Sequence, residues 1–247
     1  MTDNLVLVDG DIVVYRVGFA SDGSDWRICK SRVDKMLTDI LENTKSGVMF
    51  GYLTEGTNNY RNKIAVTLPY KGNRPAKKPF HYDEIRLYLA EYHGFEMHKT
   101  QEADDAIGIA HAELTNWQIA EPVIIASIDK DLRMIPGRHY NIMTGEVDLV
   151  PIAEARKNFY RQVLTGDRTD NIQGLKGIGP VKANNILNSG ASVTMPNRVT
   201  RAYQDQAAGS RLMETAELIW IRRQLDYQFS FGYVDGVYNK YSYVGGK

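Results

Sequence analysis

The sequence predicts an α/β fold: a mostly parallel central sheet flanked by helices, followed by a helical hairpin region. Three observations carry this expectation. Short apolar runs alternate with helical periods up to about residue 150. The apolar runs end in acidic residues, as strands do where a site forms beyond their C-terminal ends. After residue 150 the strand signal stops, and the turn Gly177-Ile178-Gly179-Pro180 leads into another helical period. The expected division is an α/β core over residues 1–150 and a helical region with a tail over 151–247.

Leu5 to Val8 reads as a buried strand ending at Asp9-Gly10-Asp11. Arg32 to Asn43 has a helical period in Val33, Met36, Leu37, Ile40 and Leu41. Val48 to Leu53 is a second strand, closed by Thr54-Glu55. From Asn58 to Phe80 there are six cations and no acid, with Pro69, Pro75 and Pro79; this reads as loop, or as a short strand at Lys63 to Thr67 and then loop. Tyr82 to His93 returns to helix. Glu102 to Leu114 is a helix whose acids sit in the first turn, where the helix dipole favours them. Pro122 to Ala126 is the clearest strand and ends in Ser127-Ile128-Asp129-Lys130-Asp131. A hairpin is expected around Thr144-Gly145, then helices at Ile152 to Leu164, Val181 to Leu187 and Leu212 to Leu225. Asn188 to Ser210 and the Tyr-rich tail carry no assigned element.

Composition narrows the class. The 247 residues are 43% hydrophobic and 24% charged, ordinary for a globular protein. No apolar run approaches the roughly 20 residues of a membrane span. Met1-Thr2-Asp3-Asn4 puts no basic region before an apolar one, so no secretory signal is expected and the expected location is cytoplasmic. Cys29 is the only cysteine, which excludes an intrachain disulfide and a Cys-rich zinc site. Net charge is zero, but local patches decide what a polyanion meets.

The carboxylates are the informative residues. Asp9, Glu55, Asp129 and Asp131 fall at predicted strand ends, Glu102, Asp104 and Asp105 open a helix, and Asp167 and Asp170 flank a turn. Several carboxylates together repel and need a counter-charge to ionise. Oxygen-only ligands favour Mg²⁺ or Mn²⁺ over Zn²⁺. Two such ions about 3.5–4 Å apart clamp a phosphodiester and activate water. The Gly177–Pro180 turn, flanked by Lys176 and Lys182, points backbone N–H groups outward, where they suit a phosphate. Two rival readings stand beside this one. Asp9-x-Asp11 with Gly166-Asp167-x-x-Asp170 superficially fits a haloacid-dehalogenase-type phosphatase, and the other rival is a module that binds DNA junctions without cutting, against which the carboxylate set argues.

Taken together, Val8-Asp-Gly-Asp11, Thr54-Glu55, Asn59-Tyr-Arg61, Tyr70-Lys-Gly-Asn-Arg74, Lys77-Lys-Pro79, Glu102-Ala-Asp-Asp105, Asp129-Lys-Asp131 and Gly166-Asp-x-x-Asp170 resemble the 5′-nuclease superfamily of flap endonucleases and 5′-3′ exonucleases. Within it the chain looks most like the short exonucleases of T-odd phages. The pieces occur in the family's order from residue 8 to about 187. The resemblance implies a PIN-like nuclease core with a helix-hairpin-helix region. It implies a 5′-3′ exonuclease acting on DNA with a 5′ end, with flaps and RNA–DNA hybrids as further substrates, in the host cytoplasm if phage-encoded. It implies two Mg²⁺ ions, replaceable by Mn²⁺, held by Asp9, Glu102, Asp104, Asp105, Asp129, Asp131, Asp167 and Asp170. Glu55 is a further ligand, where flap endonucleases commonly carry Asp. Lys71 approaches the scissile phosphate and Arg74 a neighbouring one. Arg61, Lys77 and Lys78, in a basic arch region spanning 61–99, contact DNA, as do Lys176, Gly177, Gly179 and Lys182 at a hairpin that also suits K⁺. The loop Lys71 to His81 reaches at most roughly 36 Å, and the helix after it is about 18 Å long. That bridge passes a single strand and leaves a duplex outside.

Overall fold

The computed structural model describes residues 4–74, 77–118, 122–189 and 194–241; the expected stiffening by Pro75, and Tyr243 of the tail, lie outside them. Strands β1 (Asn4–Asp9), β2 (Ser46–Thr54), β3 (Glu96–His98), β4 (Val123–Ser127), β5 (Gly137–Asn141) and β6 (Val147–Val150) form one sheet in the order β3-β2-β1-β4-β5-β6. Every pairing is parallel except the β5–β6 hairpin. Central β1 pairs on both sides, Leu5–Val8 lying opposite Val48–Gly51 and Val123–Ala126. This register brings the C-terminal ends of β1, β2 and β4 to one edge of the sheet.

Helices cover both faces, as a parallel sheet requires. Val6, Val8, Ile124 and Ala126 face a core closed by α1 (Gly10–Ala20), α2 (Trp26–Thr44) and, beyond the single turn α3 (Arg61–Ile64), α4 (Tyr82–His93). Leu7 and Ile125, on the opposite face, join a larger core with α5 (Ala103–Thr115) and α6 (Ile152–Thr165). That core runs on without a break into the C-terminal helices. A short ribbon of β7 (Gly166–Asp167) and β8 (Ile172–Gln173) follows α6. Next come the turn at Gly177 (φ 69°), α7 (Pro180–Asn188), α8 (Met195–Asp205), α9 (Leu212–Ile219) and α10 (Phe231–Lys240). Among the described residues no helix is long and apolar enough to cross a membrane.

The strands expected at 5–8, 48–53 and 122–126, the Thr144-Gly145 hairpin, and the helices at 82–93, 103–115, 152–165 and 180–188 are present. Four differences have physical causes. Helix α1 hides behind Val13, Val14, Val17 and Gly18, all modest or poor helix formers; burial of Val13, Val14 and Val17 outweighs propensity, and the Asp9 side chain caps it by accepting from Ile12 N–H. Of the two readings of Lys63 to Thr67 the strand is absent; α3 and a segment whose Val66 and Thr67 N–H groups donate to Glu214 stand there. Helix α9 stops at Ile219 rather than Leu225, and the Leu218 and Trp220 carbonyls bond to Arg61. Helices α8 and α10 occupy the two stretches that carried no expectation, α10 capped by the Ser230 hydroxyl.

The chain after α9 packs hard on α5. A Cβ at Gly108 would stand 2.2 Å from the Arg222 carbonyl oxygen. Gly108→Ala therefore sets a helix-propensity gain of about 1 kcal/mol against an overpacking cost of about 1–3 kcal/mol. Because the obstacle is backbone, overpacking wins. The urea midpoint of the variant is expected to fall; a rise would show that residues 220–223 yield freely.

Candidate active site

Three residues at the strand ends organise the site. Asp9 closes β1, accepting from Ile12 N–H at 3.2 Å and from the Ser127 hydroxyl at 2.8 Å. Ser127 closes β4, and its Oγ accepts from Asp129 N–H at 2.9 Å, while an Asp129 oxygen accepts from Asp131 N–H at 2.8 Å. This ladder fixes Asp9, Asp129 and Asp131 relative to one another. Thr54 closes β2: its N–H donates to Asp11, its carbonyl accepts from Arg86 at 2.6 Å, and its hydroxyl accepts from Ala103 N–H at 2.9 Å. That last bond holds the start of α5, and with it Glu102 and Asp104, at the sheet edge. The result is a cavity of about 670 Å³ lined by Asp9, Asp11, Glu55, Glu102, Asp104, Asp129, Asp131 and Asp170.

The chain between β2 and α4 crosses this edge. Asn73 donates to the Arg168 carbonyl, Asn171 donates to the Pro69 carbonyl, and Lys71 N–H donates to the Asp170 carbonyl, which pins residues 69–74 to the β7–β8 turn. At the other end Phe80 N–H donates to Asp22, and the His81 ring bonds the Ser24 carbonyl. Lys71, Arg74 and Lys78 line the cavity from this bridge. Lys71 has φ 55°, a left-handed conformation that costs a non-glycine residue about 1–2 kcal/mol. Its ammonium lies on Glu102, and Arg74 lies on Asp170. The Tyr70 hydroxyl stands between these two carboxylates, 2.7 Å from Glu102 and 2.8 Å from Asp170; its single proton serves one at a time.

Beneath the bridge lies a buried ion cluster. Arg61 is 3% exposed. All five of its N–H donors are spent: Nη1 on Glu102 and Asp105, Nη2 on Asp105 and the Trp220 carbonyl, Nε on the Leu218 carbonyl. Arg61 was expected to contact DNA; the structure places it inside, binding the bridge, α5 and the end of α9 together. Asp105 is fully buried on Arg61 and does not line the cavity. Asp167 also lies behind the cavity wall, accepting from Thr169 and Asp170 N–H and from Lys130 at 2.5 Å. Glu55 sits at the rim, 3.7 Å from Lys99. Lys77 is exposed beside the bridge, and Lys176, Gly177, Gly179 and Lys182 are exposed at the start of α7, outside the cavity.

The charges do not balance. Lys71, Arg74 and Arg86 are paired with Glu102, Asp170 and Asp11. Asp9, Asp104 and Asp129 have no ion pair, and the Asp104 carboxylate has no hydrogen bond, among the described residues. Burial, and then the charge of Asp11, push Asp9 up to about 7. Burial and Asp129 push Asp131 up to about 6. Burial with Asp129 and Asp9 raises Asp104 well above the usual range. Glu102 goes the other way: burial works against ionisation, but Arg61 and Lys71 bring it down to about 2. An all-oxygen donor set with uncompensated charge fits a hard divalent cation. Among the described residues no three acidic, imidazole or thiol groups already enclose an ion position; Glu102 and Asp170 are turned onto protein cations.

Four residues at this site were not expected to act there. Asp11 was visible two residues after the strand end, and Tyr70 and Lys130 were visible inside the motifs that carried Lys71, Asp129 and Asp131. Arg86, inside a helical period, gave no signal.

The electrostatics predict a stability trade. A carboxyl whose folded pKa is raised stabilises the fold only when protonated, so that contribution is full below its unfolded value near 3.8 and is lost as pH rises through the folded value. The buried His111 and His139 act oppositely: burial lowers them to about 3 and about 4, and their penalty disappears above about 6.5. Between pH 6.5 and 8 in EDTA the carboxylates dominate. Asp104→Asn should raise the melting temperature at pH 8, each 1 kcal/mol being worth about 2–4 °C. A lower melting temperature would mean that Asp104 is internally compensated.

No family model matches the chain. It is 29% identical over 240 residues to DNA polymerase I of Bacillus caldotenax, across 87% of this chain and 26% of that protein, so it spans about a quarter of that relative. The T5 D15 protein co-crystallised with metal ions has TM-score 0.54 and 16% identity, covering 96% of this chain and 97% of the other. The bacteriophage T5 D15 flap endonuclease, in a pseudo-enzyme-product complex with DNA and metal ions, gives 0.53 and 16%, covering 87% and 93%. The catalytic core of Rad2 in complex with DNA substrate gives 0.51 and 15%, covering 96% and 77%. The chain therefore has the fold of the 5′-nuclease superfamily.

Proposed function

We propose that this chain is a divalent-metal-dependent nuclease that hydrolyses DNA phosphodiesters from 5′ ends. Flap cleavage and removal of RNA from hybrids are extensions of the same chemistry. The observation that carries the reading is the juxtaposition of uncompensated carboxylates with a cationic bridge across one cavity. Asp9, Asp104, Asp129 and Asp131, with Glu102 and Asp170, would hold two Mg²⁺ or Mn²⁺ ions. When bound, such ions polarise the phosphodiester and supply a nucleophilic water at neutral pH. Glu55, Asp105 and Asp167 support this set from the rim and from behind, and a K⁺ ion suits the Gly177 turn.

The protein's own residues do the rest. Lys71, held over the cavity by its backbone bond to Asp170, places a cation where a phosphate between the carboxylates develops charge. Tyr70 and Glu102 fix that ammonium. Arg74 and Lys78 take flanking phosphates. Lys176 and Lys182, outside the cavity with Gly177 and Gly179, hold duplex backbone through charge and exposed N–H groups. The bridge, tied at both ends, passes a single strand and stops the duplex, which makes a free 5′ end a requirement. A cytoplasmic site of action, in a phage-infected host, accompanies this reading. The phosphatase alternative is disfavoured because it leaves the cationic bridge and the carboxylates that open α5 without a role.

Two tests follow on 5′-labelled duplex. Lys71→Ala should lower kcat by about 10²–10³ with little change in affinity, the loss typical of a transition-state donor. Lys176→Ala and Lys182→Ala should instead weaken binding and each flatten the salt slope by about 1. Equal kcat losses from all three would refute this division of labour. For the bridge, single-stranded circles should resist cleavage while the linear form is degraded. Rapid cutting of intact circles would mean that strands need no free end.

A further inference from the structure

A second cavity, of about 260 Å³, opens on the other flank of α1. Helix α1 turns Asp11, Ile12 and Tyr15 toward the carboxylate cavity and Arg16, Val17 and Ala20 toward this one, and the two share no lining residue. Its floor is apolar: Val17, Ile40 and the Tyr140 ring are buried, with Met36 and Ile142 packed beside them. Its rim is cationic, carrying Arg16, Arg32 and Lys35, all exposed. The one acid there, Asp39, lies 2.7 Å from Lys35. The Arg16 guanidinium has no hydrogen bond or ion pair among the described residues. Arg32 commits only Nη1, to the Ala20 carbonyl and the Ser21 hydroxyl, leaving Nε and Nη2 to donate.

The volume falls below the roughly 300 Å³ at which pockets begin to hold drug-sized ligands. It suits one bulky side chain rather than a cofactor. A nucleic-acid phosphate would use the rim and gain nothing from the floor. A carboxylate next to a large apolar side chain uses both, because guanidinium groups bind carboxylates through paired hydrogen bonds. We propose that this pocket docks an acidic peptide segment of a partner protein, with one apolar side chain on the floor and carboxylates on Arg16 and Arg32. None of these residues belongs to the cavity assigned to DNA, so the proposal goes beyond the nuclease reading and survives its failure.

The test is fluorescence anisotropy on the full chain with a labelled Asp-Asp-Asp-Ile-Phe peptide bearing a free carboxyl end. The control peptide is Asp-Asp-Asp-Ser-Ser, and a short DNA oligonucleotide serves as competitor. Micromolar binding of the first peptide is expected, weakened by about tenfold or more in Arg16→Glu, which reverses the rim charge, and in Ala20→Phe, which fills the pocket. Arg16 is exposed and unpartnered, so its variant reports even if Ala20→Phe fails to fold. Cleavage of labelled duplex should be unchanged in both. Absence of binding, equal binding of the Ser-containing peptide, or full displacement by the oligonucleotide would overturn the proposal; the last would assign the rim to nucleic acid.

Discussion

Carboxylates that cannot all be neutralised from within are the constraint on which this structure turns. Parallel pairing of β1 with β2 and β4 puts Asp9, Thr54 and Ser127 on one sheet edge. The hydrogen bonds of those three residues then draw in Asp129, Asp131 and the start of α5. Every cation paired there already has a carboxylate partner, and Asp9, Asp104 and Asp129 are left over. Holding them together costs stability, and a buried, like-charged cluster at strand ends is how a protein stores affinity for an external cation.

Arg61 shows how the cost is contained. A buried guanidinium is tolerable only when its donors are satisfied and its charge is matched. Here two acids and two carbonyls do both. Because Arg61 stands on α3 and its partners come from α5 and the end of α9, it helps tie the C-terminal helices to the carboxylate edge. The early stop of α9 and the absence of side-chain volume at Gly108 belong to the same packing solution.

Much of this was legible in the sequence. The strands were clear because buried parallel strands are short apolar runs, and the carboxylates at their ends marked the site. The misplacements share a cause: residue type and position do not report direction. Asp104 and Asp105 are adjacent in a helix and therefore point about 100° apart, so one faces the cavity and the other faces Arg61. Arg61 sits in a run of cations and prolines that reads as solvated loop, and nothing local distinguishes it from Lys77, which is exposed. Helix α1 was hidden because β-branched residues and glycine lower propensity where tertiary burial decides.

If divalent cations fill the cluster as proposed, they do so in exchange for protons. Titration calorimetry with Mn²⁺ at pH 6, repeated in buffers of different ionisation enthalpy, measures this directly. Asp9 near 7 and Asp131 near 6 are substantially protonated there, so binding should release about one proton or more per chain. That release should fade by pH 8 and vanish with the binding itself in Asp104→Asn/Asp129→Asn. Mn²⁺ binding without proton release at pH 6, or no binding at all, would contradict the account.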